Sequence, residues 1–211
     1  MNLLWLDVET GGLDPRRDAL LDLCMVKTDE DGNEIARYSS RIVPANHLCI
    51  SRQAVRVNGY DAKSWGGASE AVACDEIESL FTCVKSADTK LRPAGWNVYS
   101  DIAFVAAMLD RVEAWPCFIV SNDMDHHHLD LFSYAYKITC GMGKPSLRNL
   151  LAVVGVDAGL FKLHTAAGDV AACIACYRAL RATQGTISKA VQVARDIAMK
   201  HADVHYHDYE L

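Results

Sequence analysis

The order of patterns along the chain predicts an α/β protein, with strands joined as a hairpin first and helical and strand-like segments alternating afterwards. Three observations carry this. Residues 2–9 are apolar on both faces at a period of two until the last positions, as in a buried central strand. Asp29-Glu30-Asp31-Gly32-Asn33 is a turn signal between two β-prone runs. Beyond residue 70, apolar residues recur at helical spacing in several separate segments. With 211 residues, 51% of them apolar, the chain suffices for one sizeable core and is short for two full domains.

In the first strand, Leu3, Trp5, Asp7 and Glu9 share one face, and Leu4, Leu6 and Val8 the other. The two carboxylates thus sit where a buried strand runs out into Thr10-Gly11-Gly12-Leu13-Asp14-Pro15. Paired acids there are costly unless something cationic meets them, and a hard divalent metal is the usual partner. A polar strand end leading into a turn is the alternative, and the pair alone does not decide between them.

Ala19 to Lys27 and Glu34 to Val43 form the expected hairpin, closed by Pro44. Residues 45–68 read as irregular, with Asn58-Gly59 and Gly66-Gly67 as turn markers. Glu70 to Lys85 predicts an amphipathic helix, and Leu91 to Trp96 a short strand interrupted by Pro93. From Ser100, read as an N-cap, Ile102, Val105, Leu109 and Val112 make a helical stripe that puts Asp101 in the first turn. An acid there also complements the helix dipole without any further role. Cys117 to Val120 reads as a strand and Leu129 to Ile138 as a short helix. Pro145-Ser146 opens a helix through Leu147, Leu150, Leu151 and Val154, ended by Gly155. A strong helix follows from about Ala166 to Ala182, its stripe made of Asp169, Ala172, Cys173, Cys176 and Leu180. An acid at the head of an apolar stripe needs a partner, and His164 stands in the loop just before it. Ile187 to Lys200 is a last helical segment, followed by an acidic, histidine-bearing tail.

The formal net charge of −6 argues against coating long nucleic acid by bulk electrostatics, but not against gripping a few nucleotides locally. No apolar run approaches the roughly 20 residues of a membrane helix. The start of the chain has no signal-peptide pattern, so a cytoplasmic protein without membrane partners is expected. The eight cysteines are scattered and read mostly as buried thiols, with Cys173 and Cys176 in the core. His126-His127-His128, near Asp123 and Asp125, reads as a solvated loop.

Four acids therefore stand out by position, Asp7, Glu9, Asp101 and Asp169, with His164 as a fifth group. Carboxylate oxygens suit magnesium or manganese, and an imidazole can take a proton from an attacking water. Asp7-Val8-Glu9-Thr10-Gly11-Gly12-Leu13-Asp14 resembles the first motif of the DEDDh 3′→5′ exonucleases, the DnaQ-like family of the ribonuclease H-like superfamily. Gly95-Trp96-Asn97-Val98-Tyr99-Ser100-Asp101 is similar to the second, and His164-Thr165-Ala166-Ala167-Gly168-Asp169 to the third, whose histidine lies five residues before its aspartate. Val57-Asn58-Gly59-Tyr60 and the segment from Pro145 to Val156 resemble the family's connecting elements. All three motifs in order make a far stronger signal than any one alone.

The resemblance implies a ribonuclease H-like mixed β-sheet, antiparallel in its first three strands and parallel afterwards, with helices on both faces. Residues 1–183 would be the exonuclease domain, and 184–211 a C-terminal helix and acidic tail. It implies two divalent metal ions, Mg2+ or Mn2+. Asp7 would bridge them, Glu9 and Asp169 would complete one site, and Asp101 would hold the second largely through water. His164 would be the general base. Thr10, Gly11, Leu13, Asn97 and Trp96 fall on the substrate side, Leu13 as a wedge against the terminal base. The chain departs from the family where Trp96 replaces a histidine and Tyr99-Ser100 replaces the residues before the second aspartate. Trp96 reads first as a core aromatic, and Trp96 or Tyr99 otherwise as a stacking face.

The function expected is removal of nucleoside 5′-monophosphates from the 3′ end of single-stranded DNA. The same chemistry on RNA, as in RNA end trimming or oligoribonucleases, is the alternative, and a non-catalytic binding module a distant third. The C-terminal segment is a candidate surface for a polymerase partner or a homodimer.

Overall fold

The computed structural model describes residues 2–84, 91–114, 127–138 and 145–182. The expected strand Cys117 to Val120, the residues Asp123, Asp125 and His126, the helix Ile187 to Lys200 and the acidic tail lie outside the described residues.

A six-stranded sheet of order β4-β3-β2-β1-β5-β6 forms the centre of the described structure. Its strands are β1 (Asn2–Thr10), β2 (Leu20–Thr28), β3 (Glu34–Val43), β4 (Ala68–Ser69), β5 (Leu91–Gly95) and β6 (Leu129–Asp130). β1, β2 and β3 are antiparallel neighbours, whereas β5 and β6 add on parallel to β1. The helices are α1 (Arg52–Asn58), α2 (Glu70–Val84), α3 (Val98–Arg111), α4 (Leu131–Ile138), α5 (Leu147–Val153) and α6 (residues 166–182).

The period-two pattern of β1 decides the layering. Leu4 and Leu6 enter one core with Met25, Ile77, Phe104 and Met108, which places α2 and α3 on that face. Leu3 and Trp5 enter the other with Leu150, Leu151, Val170 and Cys173, beneath α5 and α6. Helices thus flank both faces, as expected for this sheet. Each core closes before β1 ends, because Asp7, Val8 and Glu9 are only half-buried. Cys24, Cys74, Cys173 and Cys176 are buried free thiols, and Cys49 is an exposed one.

Four local differences from the sequence reading have physical causes. α1 forms within the stretch read as irregular. None of its residues is buried, so it has no apolar stripe to read, and its signals are caps: Ser51 Oγ accepts from the Ala54 N–H at 3.1 Å, and Gly59 closes it at φ 71°. β4 is a two-residue edge strand against β3, too short to leave a pattern. α3 begins at Val98 rather than behind a Ser100 cap, because Asn97 turns the chain at φ 57° and occupies the capping position itself. Leu129 and Asp130 pair with Ala94 and Gly95 as β6 before α4 starts. Pro93, paired with Leu4 of β1, lies before the part of β5 that meets β6, so its missing N–H is tolerated inside the sheet.

Candidate active site

The C-terminal end of β1 places Asp7 and Glu9 on the face that Trp5 presents to α6. The first turn of α6 brings Asp169 to them, and one carboxylate oxygen from each of Asp7, Glu9 and Asp169 lies within 4.8 Å of the others. Asp101 arrives from the opposite layer. It sits in the first turn of α3, is 8% exposed, and accepts a hydrogen bond from the Val8 N–H at 3.3 Å.

Burial and mutual repulsion dominate the electrostatics. Asp7 is raised well above the ordinary carboxylate range, first by burial and then by the charges of Asp101, Asp169, Glu9 and Asp22. Burial, then Asp169 and Asp22, pushes Glu9 up to about 7. Asp101 is pushed to about 7 by burial, with Glu9 and Asp130 adding and the Val8 hydrogen bond opposing. Asp169 is raised by burial against the hydrogen bond and charge of His164. Among the described residues, none of the four acids has a lysine or arginine salt-bridge partner. Converging hard oxygens with excess negative charge fit a divalent cation of the magnesium or manganese type.

This repulsion has a measurable consequence. Because the folded pKa values of Glu9 and Asp101 lie near 7, above their ordinary 4.5 and 3.8, the folded metal-free chain holds protons that the unfolded chain releases. Their contribution to stability is fully present below pH 4 and is lost as pH rises through about 7. Between pH 6 and pH 8 the loss is on the order of 2 kcal/mol, or roughly 4–8 °C in Tm for a chain of this size. Thermal melts in chelator should therefore give a lower Tm at pH 8 than at pH 6, with Mg2+ or Mn2+ restoring more at pH 8. A chelated protein whose Tm climbs from pH 6 to pH 8 would contradict this assignment.

Three of the four acids, all but Glu9, open into a cleft of about 730 Å³, in the range of a small-ligand site. Asp7, Asp101, Asp169 and His164 line it together with Trp96, Asn97, Phe132 and Arg148. His164 is exposed, holds φ 65°, and donates its backbone N–H to Asp169 Oδ2 at 3.2 Å, which leaves the imidazole free. Asn97 is also left-handed, and its N–H donates to Asp130 Oδ1 at 2.8 Å. Trp96 is half-buried, packs against the second core and meets Phe132 edge-on at 5.5 Å, so it is both a core aromatic and a cleft wall. Tyr99 is 74% exposed, and its ring stacks on His128 with centroids 6.5 Å apart.

Thr10, Gly11 and Leu13, on the loop after β1, are not among the residues that line the cleft. Thr10 Oγ1 donates to the Gly12 carbonyl at 2.7 Å. Gly11 donates its N–H to the Ala19 carbonyl and accepts from the Ser51 N–H, each at 2.7 Å, and a Cβ there would strike the Cys49 carbonyl. Gly11 is thus fixed by close backbone packing. Leu13, 95% exposed, projects from this loop. Arg111 steadies the loop's far side, donating to the Pro15 carbonyl at 3.2 Å while paired with Glu70 at 2.5 Å.

The family model described as Exonuclease matches residues 4–177. The chain belongs to the exonuclease family. Within it, this is the DEDDh, DnaQ-like group of the ribonuclease H-like superfamily, whose motif order the chain carries. This family member is 27% identical to ribonuclease T of Wigglesworthia glossinidia brevipalpis over 175 residues, 78% of this chain and 77% of that protein. It is 25% identical to the oligoribonuclease of Ralstonia nicotianae over 127 residues, 54% and 55% of the two chains. Its fold matches E. coli exonuclease I in a zinc-ion-bound complex with single-stranded DNA, at TM-score 0.69 and 22% identity, over 91% of this chain and 43% of that one. The chain thus spans less than half the length of that exonuclease I.

Asp22, Phe132, Arg148 and Asp130 join the site without having been singled out from the sequence. Asp22 was visible in principle, as a lone acid within the apolar run from Leu20 to Val26. Phe132 and Arg148 carry no such mark, because only the folding of α4 and α5 over one end of the sheet brings them to the cleft.

Proposed function

We propose that this exonuclease-family chain is a metal-dependent 3′→5′ exonuclease that removes nucleoside 5′-monophosphates from single-stranded nucleic acid. One observation carries the reading: three carboxylates from two elements converge within 4.8 Å, and two of them, Asp7 and Asp169, line a cleft with Asp101 and His164. Asp7, Glu9 and Asp169 would hold one divalent ion, and Asp7 with Asp101 a second. Bound ions of this kind supply Lewis-acid polarisation of the phosphodiester and lower the pKa of the attacking water. His164 takes the proton from that water as it attacks phosphorus, and the 3′ oxygen of the preceding nucleotide leaves. Thr10 and Leu13 meet the terminal nucleotide, Asn97 and Trp96 wall its pocket, and Gly11 gives the loop its close fit. In support, the cleft joins Asp7, Asp101, Asp169, His164, Asn97 and Trp96, and Leu13 is 95% exposed on the loop that follows β1.

A wedge role predicts a specific defect. Leu13→Ala should leave the melting temperature unchanged, because the side chain packs on nothing, and should raise KM by about tenfold, the loss of one apolar contact of roughly 1.5 kcal/mol. Steady-state kinetics on a short oligonucleotide measure it, and an unchanged KM would remove Leu13 from the substrate site.

DNA is the first reading of the substrate. RNA is the second reading, favoured by the likeness to a ribonuclease T and an oligoribonuclease. Matched 5′-labelled single-stranded DNA and RNA, incubated with Mg2+ or Mn2+ and with chelator, test both. A chelator-sensitive ladder shortening from the 3′ end is expected, and the faster substrate assigns the preference; no ladder on either would overturn the exonuclease reading. No helix among the described residues is long and apolar enough to cross a membrane, and a cytoplasmic location is proposed on the sequence alone. A polymerase partner or homodimer through residues 184–211 is proposed on sequence alone. Truncation after Thr183 should then change partner capture or mass in solution.

A further inference from the structure

β2 is apolar from Leu20 to Val26 except at Asp22, whose neighbours Leu20, Leu21, Leu23, Cys24, Met25 and Val26 are all fully buried. A half-buried carboxylate in such a strand needs a purpose. In the β1–β2 register Asp22 stands directly opposite Glu9, beside the irregularity where Thr10 pairs with Leu20. It therefore lies on the sheet face that α6 covers, together with Cys24 and Val26.

Its side chain reaches across to that helix. Asp22 Oδ2 accepts the backbone N–H of Ala166 at 3.2 Å, across a separation of 144 residues. Ala166 is the first residue of α6 and fully buried, so its N–H is one of the helix-start donors that lack an intrahelical acceptor. The residue before it, Thr165, spends its hydroxyl elsewhere, accepting from the Gly168 N–H at 3.2 Å and donating to the Lys162 carbonyl at 2.7 Å. Asp22 thus supplies the acceptor from a different layer of the fold. The backbone of Asp22 is in register with Glu9, while its side chain holds the helix start that carries Asp169 and adjoins His164.

We propose that Asp22 is a positioning residue, a strut between β2 and the start of α6 that sets the separation of Asp169 from Asp7 and Glu9. It touches neither substrate nor metal. Without the strut the first turn of α6 is free to move away from β1, and three ligand atoms held within 4.8 Å become a looser set. Partners of this kind behind a ligand set typically matter by 10–100-fold in metal affinity or activity. The inference rests on the exonuclease reading only for the identity of the metal, not for the strut.

The test uses the full chain, Mn2+ alone as probe, and the variants Asp22→Ala and Asp22→Asn. Asparagine keeps an acceptor oxygen for Ala166 while losing the charge, whereas alanine loses both. Asp22→Ala should bind Mn2+ about 10–100-fold more weakly and show faster amide hydrogen exchange confined to residues 164–170. Asp22→Asn should keep wild-type exchange at residues 164–170 and stay within a few-fold of wild type in Mn2+ affinity, since the charge it removes also acts on Asp7 and Glu9. Should Asp22→Ala not fold, Asp22→Ser, too short to reach Ala166, takes its place. The proposal is overturned if Asp22→Asn is as impaired as Asp22→Ala, which would make the charge itself the cause. It is equally overturned if the alanine or serine variant binds Mn2+ normally, or if wild type binds none. A wild type that binds Mn2+ but shortens no oligonucleotide would remove the exonuclease reading and leave the strut standing.

Discussion

Asp7→Asn should lower the exonuclease rate by roughly a thousandfold or more, a loss of about 4 kcal/mol of transition-state stabilisation. Asp7 is singled out because it shares the cluster with Glu9 and Asp169 and, of the charges that act on it, that of Asp101 from the other layer is the largest. Asparagine preserves its size, so the packing of β1 between the two cores is untouched. It removes the charge most opposed by its surroundings, because burial comes first among the causes that raise Asp7 and four neighbouring acids add to it. Two opposite changes should therefore appear together. Activity and Mn2+ affinity fall, while the Tm of the chelated protein at pH 8 rises, because a buried repulsion has been relieved. A merely structural aspartate would lose stability on the same substitution. A rate within tenfold of wild type would take Asp7 out of the metal site.

The same electrostatic logic explains which parts of the site are legible in the sequence. Asp7, Glu9 and Asp169 each break an apolar periodic pattern, on a strand in one case and a helix in the other, so alternation and helical spacing alone mark them as polar groups brought to buried ground. Asp101 is legible only as a first-turn acid, a common arrangement, and its neighbour is a backbone N–H that no pattern announces. Asp22 breaks its strand's pattern as plainly as Asp169 breaks its helix's, but a single acid between two strands of a hairpin reads as a solvent-facing position until α6 is seen to cover that face. The hairpin and the alternating elements are readable because each buries a continuous apolar face. α1 buries nothing, and its existence depends on Ser51 and Gly59 at its ends and on Asn58, whose side-chain amide donates to the Thr10 carbonyl at 3.1 Å. Its place in the fold is thus set by polar contacts with the loop that carries Leu13, a class of contact that hydrophobic periodicity does not report.

Removing the imidazole of His164 should separate proton handling from ligand support. The backbone of His164 donates to Asp169 Oδ2 whatever its side chain is, so a substitution that keeps φ 65° leaves that hydrogen bond in place. Asparagine is among the residues that best tolerate the left-handed region, whereas alanine there costs about 1–2 kcal/mol. His164→Asn is therefore the cleaner variant and His164→Ala the comparison. A positioned general base is worth about 10²–10⁴ in rate, so kcat should fall by that factor in both variants. Mn2+ affinity and Tm should stay at the wild-type level in His164→Asn, and Tm should drop modestly in His164→Ala. A fall in kcat matched by an equal fall in Mn2+ affinity would show that the loop, through Asp169, rather than the imidazole, is what the reaction needs. An unchanged kcat would assign the proton of the attacking water to some other acceptor and leave His164 as a structural turn residue at the mouth of the cleft.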